Sequence, residues 1–158
     1  MAYKTNVMRL LDKMKVKYKS HCYADTTAIS GIEVANALNL DPNQVFKTLV
    51  TVGRTKKYYV FMVPVAEELD LRKAADSVKE KAVEMIKSKD LLPITGYVHG
   101  GCSPIGMKKN FNTIIDKSAE NFATIIFSAG KIGYQIETSL EELSKAIEFT
   151  LAEIVDAK

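Results

Sequence analysis

Val45-Phe46-Lys47-Thr48-Leu49-Val50-Thr51-Val52, then Gly53-Arg54-Thr55-Lys56-Lys57, then Tyr58-Tyr59-Val60-Phe61-Met62-Val63-Pro64-Val65 is the stretch that decides the fold. Both flanking runs are rich in β-branched and aromatic residues. A polar, glycine-containing loop separates them, which predicts an antiparallel hairpin. Pro64 has no N–H to give to a ladder and is expected to end the second strand. Alternation places Val45, Lys47 and Leu49 on one face of the first strand and Phe46, Thr48 and Val50 on the other.

Upstream of the hairpin, Thr5 is a cap for a helix carrying Val7, Leu10, Leu11 and Met14 at helical spacing. Tyr18 to Tyr23 reads as a strand. Ser30-Gly31-Ile32-Glu33 fits a capping box opening a helix to about Leu38, and Asp41-Pro42 restarts a short helical turn. Downstream, the pattern predicts a helix over Leu69–Ala75, a strand over Ala82–Ile86 and a capped helical turn over Ser88–Leu92. A short apolar strand at Gly96–His99 then enters a glycine-rich loop. Thr113–Asp116, Thr124–Ser128 and Gly133–Glu137 read as three more strands. Ser139-Leu140-Glu141-Glu142 is a second capping box, for a helix through about Phe149, and Ala152–Val155 is a closing strand. Short strands mixed irregularly with short helices do not make a βαβ repeat. They predict an α+β protein, one domain over residues 1–158, with a mixed, largely antiparallel sheet flanked by short helices.

Bulk composition fits that reading. The chain has 158 residues, 47% hydrophobic and 26% charged, with 22 Lys and Arg against 19 Asp and Glu. The net charge of +3 allows contact with an RNA end but is far from a polybasic binder. The first residues lack an apolar signal core, and the longest near-apolar run, Tyr58 to Ala66, is short of the roughly 20 residues a membrane span needs. A soluble, cytoplasmic protein with no membrane partner is expected. The two cysteines, Cys22 and Cys102, give no disulfide framework. His21 and Cys22 are neighbours and point to opposite strand faces, and no second pair completes a metal site near His99 and Cys102. The plain reading is no metal, two small buried thiols and two partly solvated imidazoles.

Three segments carry possible chemistry. Gly96 to Gly106 holds Gly100-Gly101, Ser103-Pro104 and Gly106, residues that let a backbone lie close to a ligand, and that also mark ordinary turns. Lys47, among apolar neighbours, offers three donors and a positive charge to a phosphate or carbonyl oxygen. It is a nucleophile if desolvated, or an edge-strand guard against aggregation. Ser128-Ala129-Gly130 with Gly133 is a second glycine-bearing turn, able to bring amides toward an anion or simply to close a hairpin. No serine sits in a Gly-x-Ser-x-Gly elbow, and no nucleotide-binding glycine loop is present.

Taken together, Val45-Phe46-Lys47-Thr48-Leu49, Gly96-Tyr97-Val98 with Gly100-Gly101-Cys102-Ser103-Pro104-Ile105-Gly106, and Ser128-Ala129-Gly130 with Gly133 stand in the order and spacing of the YbaK/EbsC family. From about Tyr18 to the C-terminus the chain resembles that family's free-standing bacterial Cys-tRNA(Pro) deacylases. The linking pieces Pro64-Val65, Leu69-Asp70-Leu71, Val83-Glu84-Met85 and Ile136-Glu137 extend the likeness. The resemblance implies an α+β domain related to the editing insertion of prolyl-tRNA synthetases. The implied activity clears cysteine from mischarged tRNA(Pro), with some action on Cys-tRNA(Cys), and uses no cofactor. It makes Lys47 the functional lysine and Gly100 and Gly101 the lining of the aminoacyl pocket, with Ser103 and Pro104 at its rim. Ser128, Ala129 and Gly130 become the opposite wall, and Thr48 and Tyr23 substrate-binding positions. Cys102 and Gln135 depart from the family pattern, the latter replacing an aspartate.

The implied partner is the acceptor end of an aminoacyl-tRNA, with prolyl-tRNA synthetase as companion and no DNA. Lys56-Lys57 and Lys108-Lys109 are the candidate RNA contacts. Other readings stay open: a non-catalytic aminoacyl- or nucleotide-binding module, a deacylase for alanine or serine, and a Schiff-base enzyme using Lys47.

Overall fold

The computed structural model describes residues 3–156; the four terminal residues of the expected 1–158 span lie outside the described residues. Helix α1 (Asn6–Lys13) starts at Thr5, whose Oγ1 accepts from the Met8 amide at 3.2 Å. Strand β1 (Lys19–Cys22) follows. Helix α2 (Gly31–Ala37) has the full reciprocal cap: Ser30 Oγ accepts from the Glu33 amide, and the Glu33 carboxylate accepts from the Ser30 amide. Asp41 to Gln44 is a hydrogen-bonded turn rather than a helical restart. The hairpin forms as β2 (Phe46–Gly53) and β3 (Tyr58–Pro64), antiparallel, with Pro64 its last residue.

Helix α3 (Leu71–Ser77) is capped by Asp70, β4 (Val83–Met85) is a short strand, and α4 (Ser88–Thr95) is longer than expected. Ser88 does not cap α4: the capping position is Lys87, whose side chain makes no cap bond. Gly96 closes α4 with φ +88°, so the glycine loop leaves a helix and not the apolar strand expected at Gly96–His99. Strands β5 (Asn112–Asp116), β6 (Ile125–Ser128) and β7 (Tyr134–Thr138) fall where expected. Helix α5 is cut to Leu140–Leu143. Its cap is half a box: Ser139 accepts from the Glu142 amide, while the Glu142 carboxylate turns to the Lys17 amide and the Lys145 ammonium. The chain then turns into β8 (Thr150–Ala152).

The fold is α+β, with its strands divided between two sheets instead of one. An antiparallel sheet has the order β1-β7-β6, and a mixed sheet has the order β4-β2-β3-β5-β8, with β3, β5 and β8 parallel. Phe127, Ile125 and Ile136 of the smaller sheet pack with Phe46, Met62 and Ile115 of the larger and with Val7, Met8 and Leu11 of α1. Each such fully buried side chain is worth about 1.5–3 kcal/mol. A second cluster places Leu49, Phe61, Val63 and Ile114 against Ala74 and Ala75 of α3.

One bridge, Val45 to Ile126 and parallel, ties the two sheets. The ladder explains why this matters. Val65 N donates to Val45 O and Gly53 N to Lys57 O, so odd-numbered residues of β2 bond to β3 and even-numbered ones face away. On that outer edge Gln44 O accepts from Ile126 N, and Val50 O accepts from Ile86 N just beyond β4. Thr48 lies between the two. Its backbone looks into a gap that β6 has left and β4 has not reached.

Candidate active site at the gap between the sheets

Lys47 sits beside this gap on the face that carries Val45. Its side chain is 29% exposed, and Nζ lies 3.4 Å from Oε1 of Glu68, itself 77% exposed. An ion pair so open to water is worth only about 0–1 kcal/mol, so a competing anion can take the ammonium. With β3 on one side and β6 and β4 on the other, β2 is an inner strand, so Lys47 is no edge guard.

Ser128 ends β6 on the same face as Ile126. Ala129 N donates to Tyr134 O, which fixes the ladder so that the Ser128 amide and carbonyl point out of the β6–β7 pair toward β2. Opposite Ser128 on β7 is Gln135, 7% exposed, whose Oε1 is buried and has no hydrogen-bond partner. Opposite Gln135 on β1 is His21. Tyr23 follows two residues on, buried, its amide donating to Gly133 O at 2.7 Å. Lys47, Ser128, Gln135, His21 and Tyr23 therefore occupy one face around the gap.

Behind them lies a network the sequence reading missed. His21 Nε2 is 2.8 Å from Glu137 Oε1, Thr124 Oγ1 donates to Glu137 Oε2 at 2.5 Å, and Gln44 Nε2 donates to Thr124. Burial alone pushes the Glu137 carboxyl up; the bonds from Thr124 and His21 outweigh it and hold the group below the ordinary carboxylate value. The chain's alternation held a clue, since His21 and Tyr23 share a face, but only the β1–β7 register reveals the partner.

The two glycine loops meet. A Cβ on Gly101 would lie 3.2 Å from Ile132 N, and one on Gly130 would lie 3.0 Å from Tyr97. Their amides, however, are taken: Gly101 N donates to Val98 O, and Gly130 N to Ser128 Oγ. With the Ala129 amide also used, the open donors of the cradle come from strand edges at Ser128 and Thr48. Gly100 is exposed at the loop surface. Ser103 and Pro104 are buried rather than at a rim, and Ser103 Oγ accepts from the Ile105 amide. Thr48 turns its side chain to the face opposite Lys47, where Oγ1 is buried without a partner.

Cys102 faces Val50 and Val60 in an apolar cluster, and burial pushes its thiol up to about 12. Cys22 is exposed, against the expectation of two buried thiols, and His99 is exposed. Among the described residues no group of three or more His, Cys, Asp or Glu side chains is placed to hold a metal, and no helix is long and apolar enough to cross a membrane. A groove of about 1040 Å³ lies between Pro104–Thr113 and Ser144–Thr150 and does not include Lys47.

Residues 25–146 match a family described as "Aminoacyl-tRNA editing domain". Over 152 residues, 96% of this chain and 93% of the relative, the sequence is 44% identical to the Enterococcus faecalis protein named "Putative Cys-tRNA(Pro)/Cys-tRNA(Cys) deacylase EbsC". Among solved structures, one described as "a putative trans-editing enzyme for prolyl tRNA synthetase" superposes with a TM-score of 0.82 at 21% identity, covering 98% of this chain and all of that one. A hypothetical protein superposes with a TM-score of 0.84 at 17% identity, covering 96% of this chain and all of that one. At such identities the two structures speak to the fold.

Proposed function

The chain belongs to the aminoacyl-tRNA editing domain family, and from that premise we propose that it is a trans-editing deacylase removing cysteine from mischarged Cys-tRNA(Pro), and from Cys-tRNA(Cys) as well. The observation that carries the reading is the gap at Thr48. There an ammonium, two outward-facing strand edges and a buried, unpartnered amide oxygen share one face where the two sheets part.

In the proposed mechanism the enzyme positions and the substrate reacts. The cysteine thiol attacks its own ester carbonyl. A carbon–sulfur bond forms, the carbon–oxygen bond to the ribose breaks, and the thiol proton passes to the departing ribose oxygen. The tRNA leaves with a free hydroxyl, and the cysteine leaves as a cyclic thioester that water opens. Lys47 holds the terminal phosphate and ribose region and steadies the negative charge that develops on oxygen. The amides of Ser128 and Thr48 hold the carbonyl side, and Gln135 Oε1 accepts from the α-ammonium. Tyr23 closes the pocket.

Such chemistry also accounts for specificity. A cavity distinguishes cysteine from alanine or serine by only about 1–3 kcal/mol. Reactivity supplies the rest: a thiol of ordinary pKa near 8.5 is a few per cent thiolate at neutral pH, and a hydroxyl or methyl group supplies no comparable nucleophile. The span 1–158 acts as one editing domain in the cytoplasm, alongside prolyl-tRNA synthetase. Single-turnover deacylation of tRNA(Pro) charged with Cys, Ala or Ser tests the reading. Cysteine is expected to leave at least about 100-fold faster than serine, in keeping with the loss of the nucleophile. Equal rates for alanine would contradict it, and protection of every ester would favour a binding module.

A further inference from the structure

On the far side of the Gly130 turn from the gap lies a second groove, of about 590 Å³, lined by Lys4, Arg9, Lys13, Lys131, Tyr3 and Tyr97 among others. Among the described residues no carboxylate lines it. Asp12 pairs with Lys4 from outside the lining, and among the described residues Arg9, Lys13 and Lys131 of the lining form no ion pair. Lys131 Nζ stands 4.7 Å from the centre of the Tyr3 ring and 3.1 Å from its hydroxyl, and Tyr3, half exposed, rests on Tyr134 with ring centres 4.9 Å apart. Cations beside a steadied aromatic face are what an unpaired nucleic-acid strand needs, for phosphodiesters and for a stacked base.

Position strengthens the case. Gly130 lines the groove, Ser128 at the gap is two residues before it, and Lys131-Ile132 on the same turn touch Gly101. The groove lies on the α1 face of β6, and the Gly130 turn connects it to the Ser128 face. The groove's other wall, residues 3–13, lies outside the 25–146 span matched by the family, so that match does not account for it.

Resting on the deacylase reading above, we propose that this groove binds the unpaired 3′ end of the RNA substrate. Arg9, Lys13 and Lys131 hold its phosphodiesters, Tyr3 stacks a base, and the aminoacylated terminus passes over the Gly130 turn to Lys47.

The test uses the double variant Arg9→Glu, Lys13→Glu, both residues being exposed on a helix held in the core by Val7, Met8 and Leu11. Three quantities are measured on the full chain: affinity for an uncharged single-stranded oligonucleotide ending in CCA at several salt concentrations, kcat/KM on Cys-tRNA, and hydrolysis of the cysteinyl ester of adenosine alone. Oligonucleotide affinity is expected to fall at least about tenfold, with a salt slope shallower by about 1.4, two contacts at roughly 0.7 each. The kcat/KM on Cys-tRNA falls by a similar factor, while the adenosine ester changes less than about twofold. Unchanged affinity and slope overturn the proposal. So does an equal loss on both esters, because the variant then acts on the site itself. Should the wild type cleave neither ester, the deacylase reading fails and the oligonucleotide arm still decides the groove. If charge reversal lowers the melting temperature, Arg9→Gln, Lys13→Gln is read by the same criteria, with at least about threefold weaker binding expected.

Discussion

Lys47 and Ser128 each stand two residues beyond the bridge that joins Val45 to Ile126, on the same face of their strands. The parallel pairing ends at that bridge. The ammonium of one strand and the outward-facing amide of the other are therefore left on one face, on strands that no longer pair. The candidate site lies where the two sheets part.

The Gly130 turn lies between Ser128 and the basic groove, and its backbone disfavours a side chain. Gly130 has φ +87°, and a Cβ there would fall 2.7 Å from Val7 Cγ2. Gly130→Ala is expected to lose about 1–3 kcal/mol of stability, since strain and contact act together. Urea unfolding with an unchanged m-value checks this; wild-type stability would show that the turn relaxes freely.

Acid should weaken the hairpin tip through Glu80. Its carboxylate accepts from the Thr55 hydroxyl, from Tyr59 OH at 2.7 Å and from the Thr55 amide at 3.2 Å, and the Thr55 and Tyr59 bonds hold the carboxyl below its ordinary value of 4.5. A group depressed on folding contributes stability above its unfolded pKa and loses it as pH falls through the folded value. The stability difference between wild type and Glu80→Gln should thus be full at neutral pH and shrink below about 4.5. A difference constant across that range would contradict the assignment.

The two thiols should separate cleanly. Burial among Val50 and Val60 pushes Cys102 up to about 12, and Cys22 is exposed. Only the thiolate reacts. Titration with a thiol reagent near pH 8 is expected to modify Cys22 alone in the native protein and both cysteines in denaturant. Rapid native labelling of Cys102 would place its thiol in an open pocket after all.

Much of this was legible in the chain. The hairpin at Val45–Val65, the caps at Thr5 and Ser30 and the three later strands follow from alternation and end chemistry, which are local. The split into two sheets was not, because it depends on the β1–β7 register, which pairs residues more than a hundred positions apart. Glu142 illustrates the limit: its spacing to Ser139 promises a reciprocal cap, yet the Lys17 amide, 125 positions away, takes the carboxylate. Lys47 and Ser128 were legible as residues. The use of the Gly101 and Gly130 amides within their own turns was not, and it moves the open donors to the strand edges.

In the proposed mechanism the Lys47 ammonium at the β2–β6 gap acts on the reacting ester. Single-turnover deacylation of Cys-tRNA(Pro) by Lys47→Ala, with a melting curve to show the fold retained, tests it most directly. A rate at least about 100-fold below wild type is expected, the usual cost of removing one preorganised donor from developing charge. Deacylation at the wild-type rate would contradict it.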